Sequence, residues 1–344
     1  MNGAAPARHG RSRPGACSVV WDDAQVSTLG TAPLAQFWVA LEQNGPWGAQ
    51  AATQSHLDPD LGAVLTQSCQ DADGRFILIR RPGTHSDPRE PNPDKIHTRK
   101  VYVAGGLSGR PWLLEADLDE PALLAGLPWI ALAGGDIGAV RDALPELAHC
   151  SAPMLMICAN SKRDVCCSVR GRPVALESAL ERPGQVWECS HTGGHRFAPT
   201  GVLLPHGNSF GRLSGASAIA AIDAAARGEV PVELLGSTND RGLSHLTAPE
   251  QAAESIVRQQ IQETSLLALS TTAIPRPDRG GTENPENAGN TGNTWQCRVS
   301  HVDGRQWDVA VAREPSGDDL PESCGREPVP SWQWSGVSDL RVRD

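Results

Sequence analysis

Two cysteines and two histidines near the middle of the chain place the strongest constraint on its fold, because together they make a metal site. Eight residues separate the two cysteines, and three residues separate the two histidines of a later Ser-His-Thr-Gly-Gly-His-Arg-Phe-Ala run. The four residues are Cys158, Cys167, His191 and His195. Thiolate and imidazole are ligands that zinc sites and iron–sulfur centres share. The sequence therefore predicts that these two segments meet around a metal.

The spacing of these residues fits zinc poorly. Zinc sites with this ligand set usually combine a C-x2-4-C pair with an H-x3-5-H pair on a helix. The cysteine gap here is too wide, and Gly193 and Gly194 oppose a helix, since glycine costs about 0.8–1.0 kcal/mol in a helix interior. A glycine-hinged loop is expected instead, in which positive φ angles let the backbone fold closely around a cluster. Zinc, and a set of residues that binds no metal, stay open as alternatives.

Several stretches of the chain resemble those of one known family, the sucrase/ferredoxin-like proteins. The stretches are Cys158-Ala-Asn-Ser-Lys-Arg-Asp-Val-Cys-Cys167, His191-Thr-Gly-Gly-His-Arg-Phe-Ala198, Thr31-Ala-Pro33, Gly45-Pro-Trp-Gly48 and Ser55-His-Leu57. The resemblance runs from about Cys17 to the Glu322-Ser-Cys-Gly325 segment, which is nearly the whole chain.

This resemblance implies a thioredoxin-like ferredoxin domain with a [2Fe-2S] cluster held by Cys158, Cys167, His191 and His195. It implies a one-electron carrier or redox module, an electron-transfer protein rather than a catalyst. Rieske-type centres, which replace two thiolates by neutral histidines, lie at roughly −150 to +300 mV, against about −400 mV for all-cysteine plant-type ferredoxins. We therefore expect a potential well above the all-cysteine value, and both histidines on one iron. The free ring nitrogens should couple that potential to pH.

Four residues beside these ligands are candidates for tuning the cluster. Arg163, Asp164 and Arg196 can act through charge and hydrogen bonds, or can be ordinary loop charges. Cys166 adjoins Cys167, but one short loop cannot easily aim both thiols at one iron. Cys166 is thus expected to be a packed bystander or a spare thiol.

A competing motif, Gly207-Asn-Ser-Phe-Gly211, matches the G-x-S-x-G nucleophile elbow of α/β-hydrolases, with Ser209 as the nucleophile. An elbow needs a strand before the serine and a helix directly after it. The flanking residues predict two short strands around a turn, and the next helix starts near Ser214 or Gly215. A hydrolase using Ser209 therefore ranks behind a zinc-binding structural or interaction protein among the alternative functions.

Composition limits the compartment and the partners. The sequence has no run of 18 apolar residues and no apolar signal-peptide core, which predicts a cytoplasmic protein without a membrane span. Nine cysteines, an odd number, favour free thiols and ligands over a disulfide framework. The net charge of −10 disfavours nucleic acid and anionic membranes and suits basic redox partner proteins of unknown identity. The cysteines expected to be structural or incidental are Cys17, Cys69, Cys150, Cys189, Cys297 and Cys324.

The order of predicted elements indicates an α/β protein of two related thioredoxin-like halves with a small C-terminal β appendage. The first half is predicted from strands at 36–43, 75–80, 100–104 and 112–116 and helices at 58–71 and near 120–132. The second half is predicted from strands at 153–157 and 186–189, two short strands within 202–213, and helices at 173–180 and 216–227. Pro173 is expected in the first turn of its helix.

These patterns divide the chain into five segments. They are a flexible N-terminus (1–30), an N-terminal thioredoxin-like domain (31–148), a thioredoxin-like ferredoxin domain with the cluster loops (149–265), a linker (266–294) and a small β-hairpin tail (295–344). A helix at 249–262 carries an apolar stripe typical of core packing. In the tail, Asp303-Gly304 predicts a hairpin turn, and Trp332 and Trp334 alternate as they would in a strand.

Overall fold

The computed structural model describes residues 14–83, 98–275 and 293–337. Residues 1–13 of the predicted N-terminal segment lie outside the described residues, as do positions 84–97 after the second predicted strand. Residues 276–292 of the predicted linker and 338–344 of the predicted tail also lie outside them.

The described residues form helices and strands in alternating order through most of the chain. The α-helices are α1 (Cys17–Asp23), α2 (Pro59–Asp71), α3 (Trp129–Ala133), α4 (Ile137–Ala143), α5 (Val165–Glu181), α6 (Gly215–Ala225) and α7 (Ala248–Ile261). The strands are β1 (Trp38–Glu42), β2 (Arg75–Arg80), β3 (Arg99–Gly105), β4 (Trp112–Leu118), β5 (Ala148–His149), β6 (Met154–Cys158), β7 (Val186–Cys189), β8 (Gly201–Leu204), β9 (Asn208–Phe210), β10 (Asp240–Leu243), β11 (Leu269–Ala273), β12 (Thr294–His301), β13 (Gln306–Leu320) and β14 (Val329–Gly336). Within the described ranges, the helices are too short or too polar to cross a membrane.

One mixed sheet of ten strands contains both predicted halves, in the order β10-β9-β8-β6-β7-β2-β1-β3-β4-β5. In the first half, β1 pairs parallel to β2 and antiparallel to β3, and β3 pairs antiparallel to β4. The second half repeats this pattern with β6, β7, β8 and β9. The halves join where β2 and β7 run antiparallel, with Ile79 opposite Cys189. The predicted α/β class is confirmed, and the two halves share one pattern of strand pairing.

The helix that follows the first strand of each half starts with an aspartate cap. Asp58 caps α2, where its carboxylate accepts hydrogen bonds from two backbone N–H groups. Asp164 caps α5, and its carboxylate accepts the N–H of Cys166. The prediction that Pro173 opens this helix was wrong, because the helix begins at Val165 and Pro173 lies inside it. The aspartate cap and the buried face of α5 offset the hydrogen bond that proline cannot make.

A separate antiparallel sheet follows, in the order β11-β12-β13-β14. Its β12–β13 hairpin turns at the predicted Asp303-Gly304. Residues 269–273, which the sequence placed in a linker, form β11 and pair with β12. Their polar Leu-Ser-Thr-Thr-Ala sequence does not predict a strand. Tertiary contacts stabilise it, since the buried Thr271 hydroxyl donates a hydrogen bond to the Glu254 carboxylate of α7 at 3.0 Å. The predicted β-hairpin tail is therefore part of a four-stranded sheet.

Helix α7 covers one face of this second sheet. Ala253, Val257 and Ile256 pack with Trp295 and Trp334, which meet edge to face at 4.8 Å between ring centroids. The apolar stripe predicted for this helix is therefore core packing, as expected.

Candidate functional site

The two predicted cysteine ligands lie together at the end of β6. Cys158 is the last residue of that strand, Cys167 lies in the first turn of α5, and both are buried. A hydrogen bond from the Cys167 thiol holds the pKa of Cys158 well below its ordinary value, and the pKa of Cys167 rises well above it. The closeness of the two sulfurs therefore favours the thiolate form of Cys158, and the thiolate is the form that binds metal.

A glycine sets the distance between these two elements. A Cβ atom built on Gly171 would lie 2.2 Å from the carbonyl oxygen of Cys158, so a larger side chain cannot fit there. Gly171 therefore allows α5 to approach the end of β6 closely enough for Cys167 to reach Cys158.

The loop after β7 carries the two predicted histidine ligands. Gly193 and Gly194 have φ angles of 75° and 71°, and His195 begins a short 3-10 turn rather than an α-helix. The predicted glycine-hinged loop is confirmed. His191 follows Cys189, the residue opposite Cys158 in the β6–β7 pair, by two positions, and its ring lies 6.1 Å from that of His195, centroid to centroid. The structure thus places the histidine loop beside the end of β6 that carries Cys158.

Within the part of the chain that the structure describes, three ring nitrogens of these two histidines have no hydrogen-bond partner and could bind a metal. Nδ1 of His191 and both ring nitrogens of His195 are buried and have no hydrogen-bond partner of normal geometry among the described residues. The Asp164 carboxylate lies 3.9 Å from Nε2 of His195, which is too far for a hydrogen bond. Burial lowers the pKa of His195, which favours the neutral imidazole that metals bind. Unpartnered buried nitrogens cost about 1–3 kcal/mol each, so these residues suit a bound metal group.

The cysteine side and the histidine side of this site differ in exposure. Cys158 and Cys167 are buried, whereas His191 and His195 are half-buried. A cavity of about 730 Å³ lies against His191, between the histidine loop and the second sheet. The charged residues that line it are Arg75, Arg196, Arg241, Arg313 and Glu322. A molecule in this cavity would therefore meet the histidine side of the site before the cysteine side.

Arg241 is a residue of the site that the sequence did not indicate. It is buried in β10, where its guanidinium donates to the Gly193 carbonyl at 3.1 Å and to the Thr31 hydroxyl at 3.1 Å. A Cβ on Gly194 would lie 2.5 Å from the Arg241 guanidinium, so the arginine packs directly on the glycine hinge. Burial lowers its pKa to about 9, which still leaves a cation at neutral pH. No sequence signal marked it, because 45 residues separate His195 from Arg241.

The residues predicted to tune the ligands have separate roles. Arg163 is exposed on the loop before α5. The guanidinium of Arg196 lies over the rings of Trp21 at 4.9 Å and Phe197 at 5.0 Å, which anchors the end of the histidine loop. Asp164 is buried and caps α5, as described above.

Cys166 belongs to a second group of thiols that the sequence did not predict. It lies beside Cys17 of α1, Cys324 between β13 and β14, and Asp164. Cys17 and Cys324 were expected to be structural or incidental, and Cys166 a packed bystander or spare thiol. Cys17 lies 149 positions before Cys166, and Cys324 lies 158 positions after it. Spacing rules for neighbouring residues could not predict that the three meet.

Helix geometry explains why the side chains of the adjacent Cys166 and Cys167 pack in different places. Successive side chains on an α-helix point about 100° apart. Cys167 packs with Cys158 and Cys189 in one core, whereas Cys166 packs with Cys17 and Ala198 in another.

Two other sequence candidates have a different setting. Cys189 lies opposite Cys158 in the β6–β7 pair, and burial raises its pKa well above the ordinary value. Ser209 is fully buried within β9, which pairs with β8 as predicted, and α6 begins only at Gly215. The strand-to-helix turn of a nucleophile elbow is therefore not formed around Ser209.

Comparison with known proteins places these elements in a family. A family model described as sucrase/ferredoxin-like matches residues 30–267, which include both halves of the ten-stranded sheet and all four predicted ligands. The match includes neither Cys17 nor Cys324, so it is shorter than the resemblance drawn from the motifs. No curated protein and no solved structure matches the chain.

Proposed function

Because the chain belongs to the sucrase/ferredoxin-like family, we propose that it is an electron-transfer protein with a [2Fe-2S] cluster. The proposed ligands are Cys158, Cys167, His191 and His195. The observation that supports this most strongly is the meeting of three chain segments at the end of β6, where Cys158 packs with Cys167 of α5 and lies opposite Cys189, two residues before His191. Unpartnered buried nitrogens on the adjacent histidines complete a set of soft and borderline donors suited to iron.

The spread of these donors favours two metal atoms over one. Within the described part of the chain, the group of Cys17, Asp164, Cys166 and Cys324 is the one whose donor atoms all lie within 4.8 Å of one another. The four proposed cluster ligands lie farther apart than that. A single zinc ion needs a compact tetrahedral set, whereas a [2Fe-2S] cluster divides its four ligands between two irons. We therefore rank zinc at this position as the alternative.

The chain's own residues divide the work of such a site. When bound, the cluster supplies reversible one-electron chemistry. The buried cysteines would hold its inner side, and the half-buried His191 would lie on the side that faces the cavity. By analogy with Rieske-type centres, we assign both histidines to one iron.

Arg241 acts on this site as a positioning residue and as a buried charge. Its hydrogen bond to the Gly193 carbonyl fixes the hinge between the two histidines. A buried cation favours the form of a neighbouring group that carries more negative charge. Arg241 should therefore raise the reduction potential beyond the effect of histidine ligation.

A thioredoxin-like fold in each half belongs to the same proposal. The repeated pattern of parallel and antiparallel strand pairs supports it. The first half has Glu42 at the end of β1, where the second half has Cys158 at the end of β6. The first half would then serve as scaffold.

The charge beside the histidines indicates how a partner would approach. The whole chain carries −10, which suits basic redox proteins. The cavity against His191 is lined by four arginines and one glutamate. We propose that the partner, whatever its overall charge, places an acidic group at this cavity.

A reducing compartment is consistent with the thiols of the chain. All nine cysteines are free in the structure, and cytosolic proteins keep their thiols reduced. A cytoplasmic location is accordingly part of the proposal.

Analysis of iron, acid-labile sulfide and zinc in anaerobically purified protein tests the proposed function. We expect two irons and two sulfides per chain, with a rhombic EPR signal of low average g after reduction. Cys167→Ser should lose both, whereas Cys69→Ser, at another buried cysteine, should keep them. Protein made in iron-replete cells that contains zinc without iron would contradict the electron-transfer function.

A further inference from the structure

Cys17, Cys166 and Cys324 form a compact triangle of sulfur atoms. The Sγ–Sγ distances are 3.5 Å between Cys17 and Cys166, 3.1 Å between Cys166 and Cys324, and 3.6 Å between Cys324 and Cys17. Both carboxylate oxygens of Asp164 lie 3.8 Å from Sγ of Cys17. Three thiols and one carboxylate from three places in the chain thus lie around a common point.

These separations are somewhat shorter than those of thiolates on one ion, and they are far shorter than those of thiolates on different metal atoms. Zinc binds sulfur at about 2.3 Å, so two thiolates on a tetrahedral zinc lie about 3.8 Å apart. An iron–sulfur cluster would distribute its cysteines over more than one iron and hold them farther apart. The triangle therefore suits a mononuclear thiolate site.

Asp164 has one carboxylate lone pair to spare for an ion. Its Oδ1 atom accepts the N–H of Cys166 at 2.8 Å. Its Oδ2 atom accepts the Ser323 hydroxyl and the N–H of Cys324, each at 2.8 Å. A carboxylate has about four lone-pair positions, and these three bonds leave one, on Oδ1. The same bonds fix the orientation of the carboxylate, as partners of metal ligands commonly do.

Simple packing accounts for this arrangement less well. Buried cysteine often behaves as a small apolar residue, and Ala16 and Ala198 do contact the group. The helix cap accounts for the buried carboxylate of Asp164, but neither packing nor the cap requires three thiols within 3.6 Å of one another beside it. A divalent cation offsets the charge of the carboxylate and the charge of the thiolates.

We propose that Cys17, Cys166, Cys324 and Asp164 bind one zinc ion. The ion would fasten α1 and the segment between β13 and β14 to the first turn of α5, the turn that also carries Cys167. The site is structural, because all four coordination positions are filled by the chain. It does not depend on the cluster proposed above.

Zinc content of the full-length protein, with and without one ligand, tests this site. Cys324→Ser removes a half-buried ligand, and Cys150→Ser, also at a half-buried cysteine, is the matched control. We expect one zinc per chain in the wild type and in Cys150→Ser, and loss of at least nine-tenths of it in Cys324→Ser. Iron and sulfide should be unchanged in Cys324→Ser.

Titration of zinc-depleted wild-type protein with Co²⁺ keeps the test decisive if Cys324→Ser fails to fold. We expect the sulfur-to-cobalt charge-transfer absorption and the intense visible bands of a tetrahedral thiolate site, saturating at one Co²⁺ per chain and displaced by Zn²⁺. Absence of zinc and of these bands, or a Cys166–Cys324 disulfide in the anaerobic protein, would overturn the proposal. Failure of the cluster proposal has a different signature: iron is absent, while the zinc stays sensitive to Cys324→Ser and insensitive to Cys167→Ser.

Discussion

The molecule has two groups of thiols, one that contains Cys167 and one that contains the adjacent Cys166, and they differ in composition, spacing and exposure. The group proposed to hold the cluster has two thiols and two imidazoles drawn from residues 158–195. Its donors do not all lie within 4.8 Å of one another, and its histidines are half-buried. The other group has three thiols and a carboxylate drawn from the first helix, the middle and the C-terminal sheet, and its donors lie within 4.8 Å of one another. Under the two proposals, these sequence neighbours bind different metals because the helix points their side chains in different directions.

The difference in exposure also suggests different roles for the two groups, one in electron transfer and one in holding the fold together. A half-buried site with neutral ligands suits electron exchange with a partner. A closed site that joins distant segments suits stabilisation of the fold. The predictions below would break or sharpen this division.

Serine substitutions at the two adjacent cysteines should have opposite effects, and these are the largest we expect. Cys167→Ser should abolish the visible spectrum and the iron content and leave zinc in place. Cys166→Ser should keep the spectrum and lose the zinc. Metal analysis and absorption spectra of both variants decide the matter. If Cys166→Ser is colourless and Cys167→Ser is not, the assignment of the two groups is reversed.

Replacing one histidine ligand with cysteine should lower the reduction potential and keep the cluster. His195→Cys adds a negative ligand, so we expect a fall on the order of 100 mV or more, part of the difference between Rieske-type and plant-type centres. His149→Cys, at an exposed histidine, is the control and should change nothing. Redox titration followed by EPR measures both. An unchanged potential in His195→Cys would show that His195 does not bind iron.

Removing the buried charge of Arg241 should lower the potential by less. Arg241→Gln keeps a polar side chain and loses the cation. Through an effective dielectric of about 20, a buried unit charge near the cluster should change the reduction potential by on the order of tens of millivolts. Arg241→Lys retains the charge and should recover most of the loss. If Arg241→Gln and Arg241→Lys shift the potential equally, the arginine acts through the loop alone.

The smallest effect concerns the arginine-lined cavity. Oxidation of the reduced protein by ferricyanide, an anion, should slow as ionic strength rises, because salt screens the local attraction. Arg313→Gln should weaken this dependence, and Arg110→Gln, outside the cavity lining, should not. Acceleration with added salt would mean that the overall charge of −10 outweighs the local arginines.

The sequence predicted best what depends on local pattern. Strands such as Arg75–Arg80 and Val186–Cys189 were found at their observed bounds, because short apolar runs lie between turn residues. The glycine-hinged loop followed from Gly193 and Gly194, since two glycines disfavour a helix.

What the sequence missed depends on tertiary contacts. The true start of α5 depends on the Asp164 cap and on burial, which outweigh the proline inside the helix. β11 depends on its pairing with β12. Arg241, Cys17 and Cys324 reach their sites from far along the chain, and spacing rules apply only to neighbours in sequence.

The most direct test of the central claim is pulsed EPR of the reduced protein, which detects nitrogen bound to a paramagnetic cluster. We predict two strongly coupled ¹⁴N nuclei in the wild type, one in His195→Cys, and two in Cys166→Ser. A reduced [2Fe-2S] signal without strongly coupled nitrogen would contradict histidine ligation, and no iron–sulfur signal at all would contradict the proposed function.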